Sequence, residues 1–111
     1  MAVVNRKNIW CAYASDENGM DMVEKKCTFI KGEKVDGWLY KTDIGNWCVV
    51  DEKTGMDTIR YCIYKRKDAI KYFLEAENQT NLYDVMQGEY YSRQVELINK
   101  RKMELDIEIE N

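Results

Sequence analysis

Histidine and proline are both absent from the 111 residues of the chain. Without histidine it lacks the usual general base, the usual partner that orients a nucleophilic cysteine or serine, and the commonest transition-metal ligand. Most hydrolase constellations are disfavoured on that ground, and an enzyme is not expected. A carboxylate pair could still do chemistry, but 20 acidic side chains in so short a chain guarantee chance pairs, so no catalytic residue is assigned. Without proline no linker is marked, and with neither repeat nor low-complexity tract residues 1–111 read as a single domain.

Charge of one sign is missing as well. Seventeen Lys+Arg against twenty Asp+Glu leave a formal charge of -3, too small a bias to select nucleic acid or membrane as partner. No apolar run approaches a membrane span, and residues 1–7 have no apolar stretch after their charges, so neither membrane insertion nor a secretory signal is expected. The expected location is the cytoplasm, where Cys11, Cys27, Cys48 and Cys62 would be four thiols. None of them has the C-x₂₋₄-C spacing that presents two thiolates to one metal, and each lies beside or near a large apolar group, as core residues do. No metal and no cofactor is expected.

The residues that are present suggest an α+β fold. Residues 9–14 are short, apolar and aromatic and run into Asn18-Gly19, a pair suited to a tight turn, so a strand and its return over 22–30 are expected. The return is interrupted by the charged Glu24-Lys25-Lys26. Trp38-Leu39-Tyr40, the turn-like residues 42–46, Trp47-Cys48-Val49-Val50 and a strand-like run over 58–64 then read as an antiparallel meander, because their connections are too short for parallel crossovers. From Ala69 the period changes to that of a helix, expected over 66–77. A second helical segment is expected from Thr80 as N-cap through Ile98, with Gly88 able to break it. Met103, Leu105, Ile107 and Ile109 alternate with Glu104, Asp106, Glu108 and Glu110, a period of two that predicts a terminal strand. The fold expected is a β-meander packed against one or two C-terminal helices, with that possible terminal strand.

Three groups are candidate binding residues. Lys65-Arg66-Lys67 and Lys100-Arg101-Lys102 could contact phosphates, and the eight tyrosines and three tryptophans offer faces on which bases stack. Against this, short charge runs are usually solvated surface. The row Glu104, Asp106, Glu108 and Glu110, drawn as a strand, would space carboxylates about 6.6 to 7 Å apart on one face, close to the spacing of phosphates on a nucleic-acid strand. Such a row could enter the basic groove of a nucleic-acid-handling protein; the plainer reading is an edge strand kept soluble by charge.

In size, absence of histidine and proline, and Lys/Glu/Asn/Tyr-rich style, the chain resembles the small accessory proteins of phages and mobile elements, anti-CRISPR proteins among them. The stretch from Gly37-Trp38-Leu39-Tyr40 through Trp47-Cys48-Val49-Val50 to the helix at Ala69-Ile70 is similar to their strand-turn-strand-helix units. The resemblance transfers no site residue. It implies a stoichiometric inhibitor, of a host defence nuclease for example, that binds a protein partner through exposed aromatics or the acidic terminal row. The competing expectation is a small nucleic-acid-binding module that uses the two basic clusters.

Overall fold

The computed structural model describes residues 5–15, 19–59 and 63–107. Four strands run in the sheet order β1-β2-β3-β4, each antiparallel to the next, and three helices follow. They are β1 (Arg6–Ser15), β2 (Gly19–Ile30), β3 (Gly37–Lys41), β4 (Trp47–Val50), α1 (Arg66–Leu74), α2 (Ala76–Met86) and α3 (Glu89–Glu104). The meander and the C-terminal helical layer are as expected. β2 passes through Glu24-Lys25-Lys26 without a break because period two sends Glu24 and Lys26 to solvent, while Lys25 Nζ meets Asp43 Oδ1 at 2.9 Å.

Period two also gives the central strands two covered faces. Ile30, Leu39 and Val49 pack on one side with Ala69 and Phe73 of α1, and with Val35 and Ile59. Close approach of α1 depends on Gly37, since a β-carbon there would lie 2.5 Å from Val49 Cγ1 and 2.7 Å from Phe73 Cζ. On the other side Ile9, Cys11, Cys27, Trp38 and Val50 form a second cluster, flanked by Phe29 and Tyr40. This face is covered because the sheet rolls up until β1 meets the loop leaving β4: Ala12 N donates to Gly55 O at 2.8 Å. Gly55 has φ +68°, and a β-carbon on it would lie 2.2 Å from Trp10 O, so only glycine fits. Asp51 organises that loop. Its Oδ2 accepts from Thr54 N at 3.2 Å, Thr54 Oγ1 at 3.0 Å and, across the fold, Tyr91 Oη of α3 at 2.7 Å.

Of the strand-like run over 58–64, residues 60–62 lie outside the described residues; Ile63 bridges to Trp47 of β4, and Asp57, just before the run, bridges to Val50. The helix expected over 66–77 stops at Leu74, because Glu75 is extended (φ -56°, ψ 137°) and serves as N-cap of α2. The corner is held by Gln79, which is 1% exposed. Its Oε1 accepts from Lys34 N at 3.1 Å and Val35 N at 2.9 Å, and its Nε2 donates to Phe73 O at 2.8 Å. Thr80, expected as the N-cap, is exposed inside α2. Gly88 does break the second segment, as N-cap of α3.

Two expectations are corrected. The terminal strand does not begin at Met103: α3 continues to Glu104 and closes in a Schellman motif, with Asp106 at φ 59°, Asp106 N bonded to Met103 O at 3.2 Å and Ile107 N to Lys102 O at 2.8 Å. The alternation that suggested a strand straddles a helix end, where no single period applies; residues 108–110 lie outside the described residues. Nor are all four cysteines thiols. Cys11 and Cys27 are free, but Cys48 is disulfide-bonded, with its partner outside the described residues. Cys48 follows Trp47, whose backbone pairs with Ile63; composition and compartment carry no information about the disulfide.

Candidate functional site

The structure treats the three candidate groups differently. Glu104 ends α3 with its carboxylate 3.2 Å from Arg101 Nη1, and Asp106 sits in a left-handed turn, so these two do not form an extended row. Glu108 and Glu110 lie outside the described residues.

The Lys100-Arg101-Lys102 cluster is largely consumed by the fold. Arg101 Nε donates to Met20 O at 3.0 Å and Nη2 to Asp21 Oδ1 at 3.0 Å, which ties α3 to the β1–β2 hairpin. These bonds hold the guanidinium even more firmly protonated than usual. Lys102 is 8% exposed, and of the three only Lys100 is fully at the surface.

The Lys65-Arg66-Lys67 cluster stays exposed and acquires partners that the sequence did not indicate. Trp47 opens β4, exchanges backbone bonds with Ile63 (N to O at 2.7 Å and O from N at 2.9 Å) and faces Lys41 across the β3–β4 ladder. That bridge delivers the next residues to the same corner. Arg66 Cζ lies 5.9 Å and Lys41 Nζ 6.0 Å from the Trp47 ring centroid, within cation–π range. Tyr64, the residue before Lys65, is 82% exposed. Among the described residues Lys41, Lys65, Arg66 and Lys67 make no ion pair.

The helical layer presents apolar surface as well: Tyr83 and Val85 of α2 and Tyr90, Leu97 and Met103 of α3 are all exposed. A half-open cleft of about 450 Å³ lies between residues 57–59 and the α1–α2 corner, lined by Asp57, Tyr72, Glu75, Glu77, Asn78 and Asn81 among others. Burial raises the Asp57 carboxyl from its ordinary value, but among the described residues no nucleophile–base pair accompanies it there. Of the buried thiols, Cys11 is pushed up, chiefly by the neighbouring Cys27 thiol and then by burial, and the influence of Cys11 lowers Cys27. Burial, with the Cys11 thiol next in effect, pushes Tyr40 up to about 12. Among the described residues no group of three or more Cys, Asp or Glu could hold a metal ion, and no helix is long and apolar enough to cross a membrane.

Comparison with known proteins finds no matching family model, curated protein or solved structure.

Proposed function

We propose that the chain is a non-catalytic binding protein whose partner is another protein, engaged through the outer flank of α3. The observation that supports this is a second apolar face on that helix. Ile98 and Lys102 point inward, whereas Tyr90 and Leu97, 67% and 53% exposed, lie seven residues apart on a common face. At 100° per residue that face is about 120° to 140° around the helix from Lys102. An aromatic and a leucine at this spacing, bordered by the Glu89–Arg93 and Arg101–Glu104 ion pairs, form an apolar centre with a charged rim, the usual anatomy of a protein interface.

The narrower form of the reading is an inhibitor of a host defence nuclease, acting in the cytoplasm as small phage or mobile-element proteins do. It rests on size and composition, together with the α3 flank. The acidic row is left out of this proposal because Glu104 and Asp106 lack the extended geometry that phosphate mimicry requires.

The test is capture from source-cell lysate with the tagged full chain, with and without nuclease treatment, comparing wild type with the Tyr90→Asp/Leu97→Asp variant. Both positions are exposed, so an unchanged circular dichroism spectrum is expected. A defined protein retained after nuclease treatment and lost with the variant supports the reading. Capture indifferent to the variant, or abolished by nuclease, overturns it.

A further inference from the structure

The corner around Trp47 goes beyond a protein-binding reading. Three cations, Lys65, Arg66 and Lys67, are gathered at the amino end of α1, where the helix dipole is itself positive. No side chain caps that end: Lys65 occupies the N-cap position with no side-chain bond, and the only carboxylate in the first turn is Asp68. Lys41 adds a fourth charge from the neighbouring strand, and none of the four is neutralised by an ion pair among the described residues. In a chain whose formal net charge is -3, this concentration cannot be put down to a generally basic surface. Like charges at an uncapped helix start repel one another and the dipole, and an anion is the ligand that relieves both.

The aromatic groups narrow the class of anion. Trp47 is half-buried with two cations near its ring, whereas Tyr64, adjoining the same basic run, is 82% exposed and offers a free π-face. A bare phosphate or an acidic peptide gains nothing from such a face. An unpaired base does, and the bases of a duplex are hidden from it. We propose that this corner binds single-stranded nucleic acid, with Lys41, Lys65, Arg66 and Lys67 contacting phosphates and Tyr64 stacking on a base.

The test is fluorescence anisotropy with labelled dT12 and rU12, a matched duplex, and a poly-glutamate peptide as a charge-only control. Binding of either oligonucleotide above duplex and peptide is expected, the stronger of the two identifying the sugar preferred. Three or four phosphate contacts give a slope of log K on log salt of about -2 to -3. Tyr64→Ala is expected to weaken binding by about 5- to 150-fold, the worth of one stacked base. Lys65→Glu/Lys67→Glu should abolish binding, and Lys100→Glu, in the other basic cluster, should leave it unchanged. The first two variants alter only exposed side chains, and circular dichroism verifies that they fold. No binding at low salt, equal affinity for poly-glutamate, tighter binding of duplex, or indifference to Tyr64→Ala would each overturn the proposal.

Discussion

Replacing Gln79 by leucine tests the idea that one amide holds the α1–α2 corner to the sheet. The side chain is 1% exposed and makes three bonds to backbone: Lys34 N, Val35 N and Phe73 O. Leucine fills much of the same volume but leaves the two donors without a partner, while Phe73 O keeps a single bond, from Asn78 Nδ2 at 3.3 Å. The bonds to Val35 and Phe73 are buried and the one to Lys34 is partly so, which sets the scale. Orphaning a buried polar group costs about 1 to 3 kcal/mol, so for two donors, one of them partly buried, the expected loss is about 2 to 5 kcal/mol, a large share of a total near 5 to 15 kcal/mol. For a chain of 111 residues 1 kcal/mol shifts Tm by about 4 °C, giving a drop of about 8 to 20 °C. The measurement is urea unfolding followed by tryptophan fluorescence, paired with calorimetry. Gln79→Glu keeps the acceptor and lacks the amide donor when ionised, so it should fall between wild type and leucine and recover part of the loss on acidification, when a protonated carboxyl can donate to Phe73 O. Thr80→Ala is the control. As the N-cap that sequence patterning suggests, Thr80 would lose about 1 kcal/mol; as an exposed residue within α2 it should change stability by less than about 0.5 kcal/mol. A Gln79→Leu loss below about 1 kcal/mol, or equal to that of Thr80→Ala, would refute the clamp.

Gly55→Ala is expected to destabilise by about 2 to 4 kcal/mol, since it puts a non-glycine residue at positive φ and a methyl against Trp10 O; a loss below about 1 kcal/mol in urea unfolding would count against the rolled sheet. Tyr91 is held above its ordinary pKa, first by burial and then by its bond to Asp51. With the folded-state value the higher one, its contribution is fully present below about pH 10 and is lost as pH rises through the folded value, so wild type should lose more stability than Tyr91→Phe in unfolding curves taken above that pH. Near pH 7 the same substitution should cost about 1 to 2 kcal/mol, and a stability gain there would contradict the Tyr91–Asp51 bond. Thiol titration of the denatured, unreduced chain should find two free thiols, on Cys11 and Cys27; four would mean that the disulfide at Cys48 is absent, as a reducing cytoplasm favours.

Local patterning made much of the fold legible. The turn residues at 42–46 and the β-branched, aromatic run at 47–50 marked a hairpin, and Ala69, Ile70 and Phe73 marked α1, because in each case the signal and the element occupy the same few residues. The end of α3 was misread because Met103, Leu105 and Ile107 fall on either side of a Schellman turn, and a period spanning a boundary measures neither element. Gln79 carried no signal at all, since an amide's partners 44 and 45 residues away leave no local pattern. The candidate corner was half visible. Lys65-Arg66-Lys67 stood out as a run, but Trp47 and Lys41 join it through the Trp47–Ile63 bridge, a pairing that no spacing rule foresees. The same limit hid the fate of Lys100-Arg101-Lys102, where two of three cations serve the packing of α3.

The rolled sheet has a further consequence for how another molecule can approach. An open sheet offers the bare backbone of its outermost strands to any extended segment, which is the route to strand donation and to fibrous stacking. Here the far side of β1 is engaged at Ala12 by Gly55, and β4 is capped at Val50 by Asp57 and at Trp47 by Ile63. These contacts interrupt both outer edges, so a newcomer cannot extend the ladder along the whole of either strand. Recognition by this molecule is then written mainly in side chains, and a designed β-strand peptide should find only an interrupted template on it.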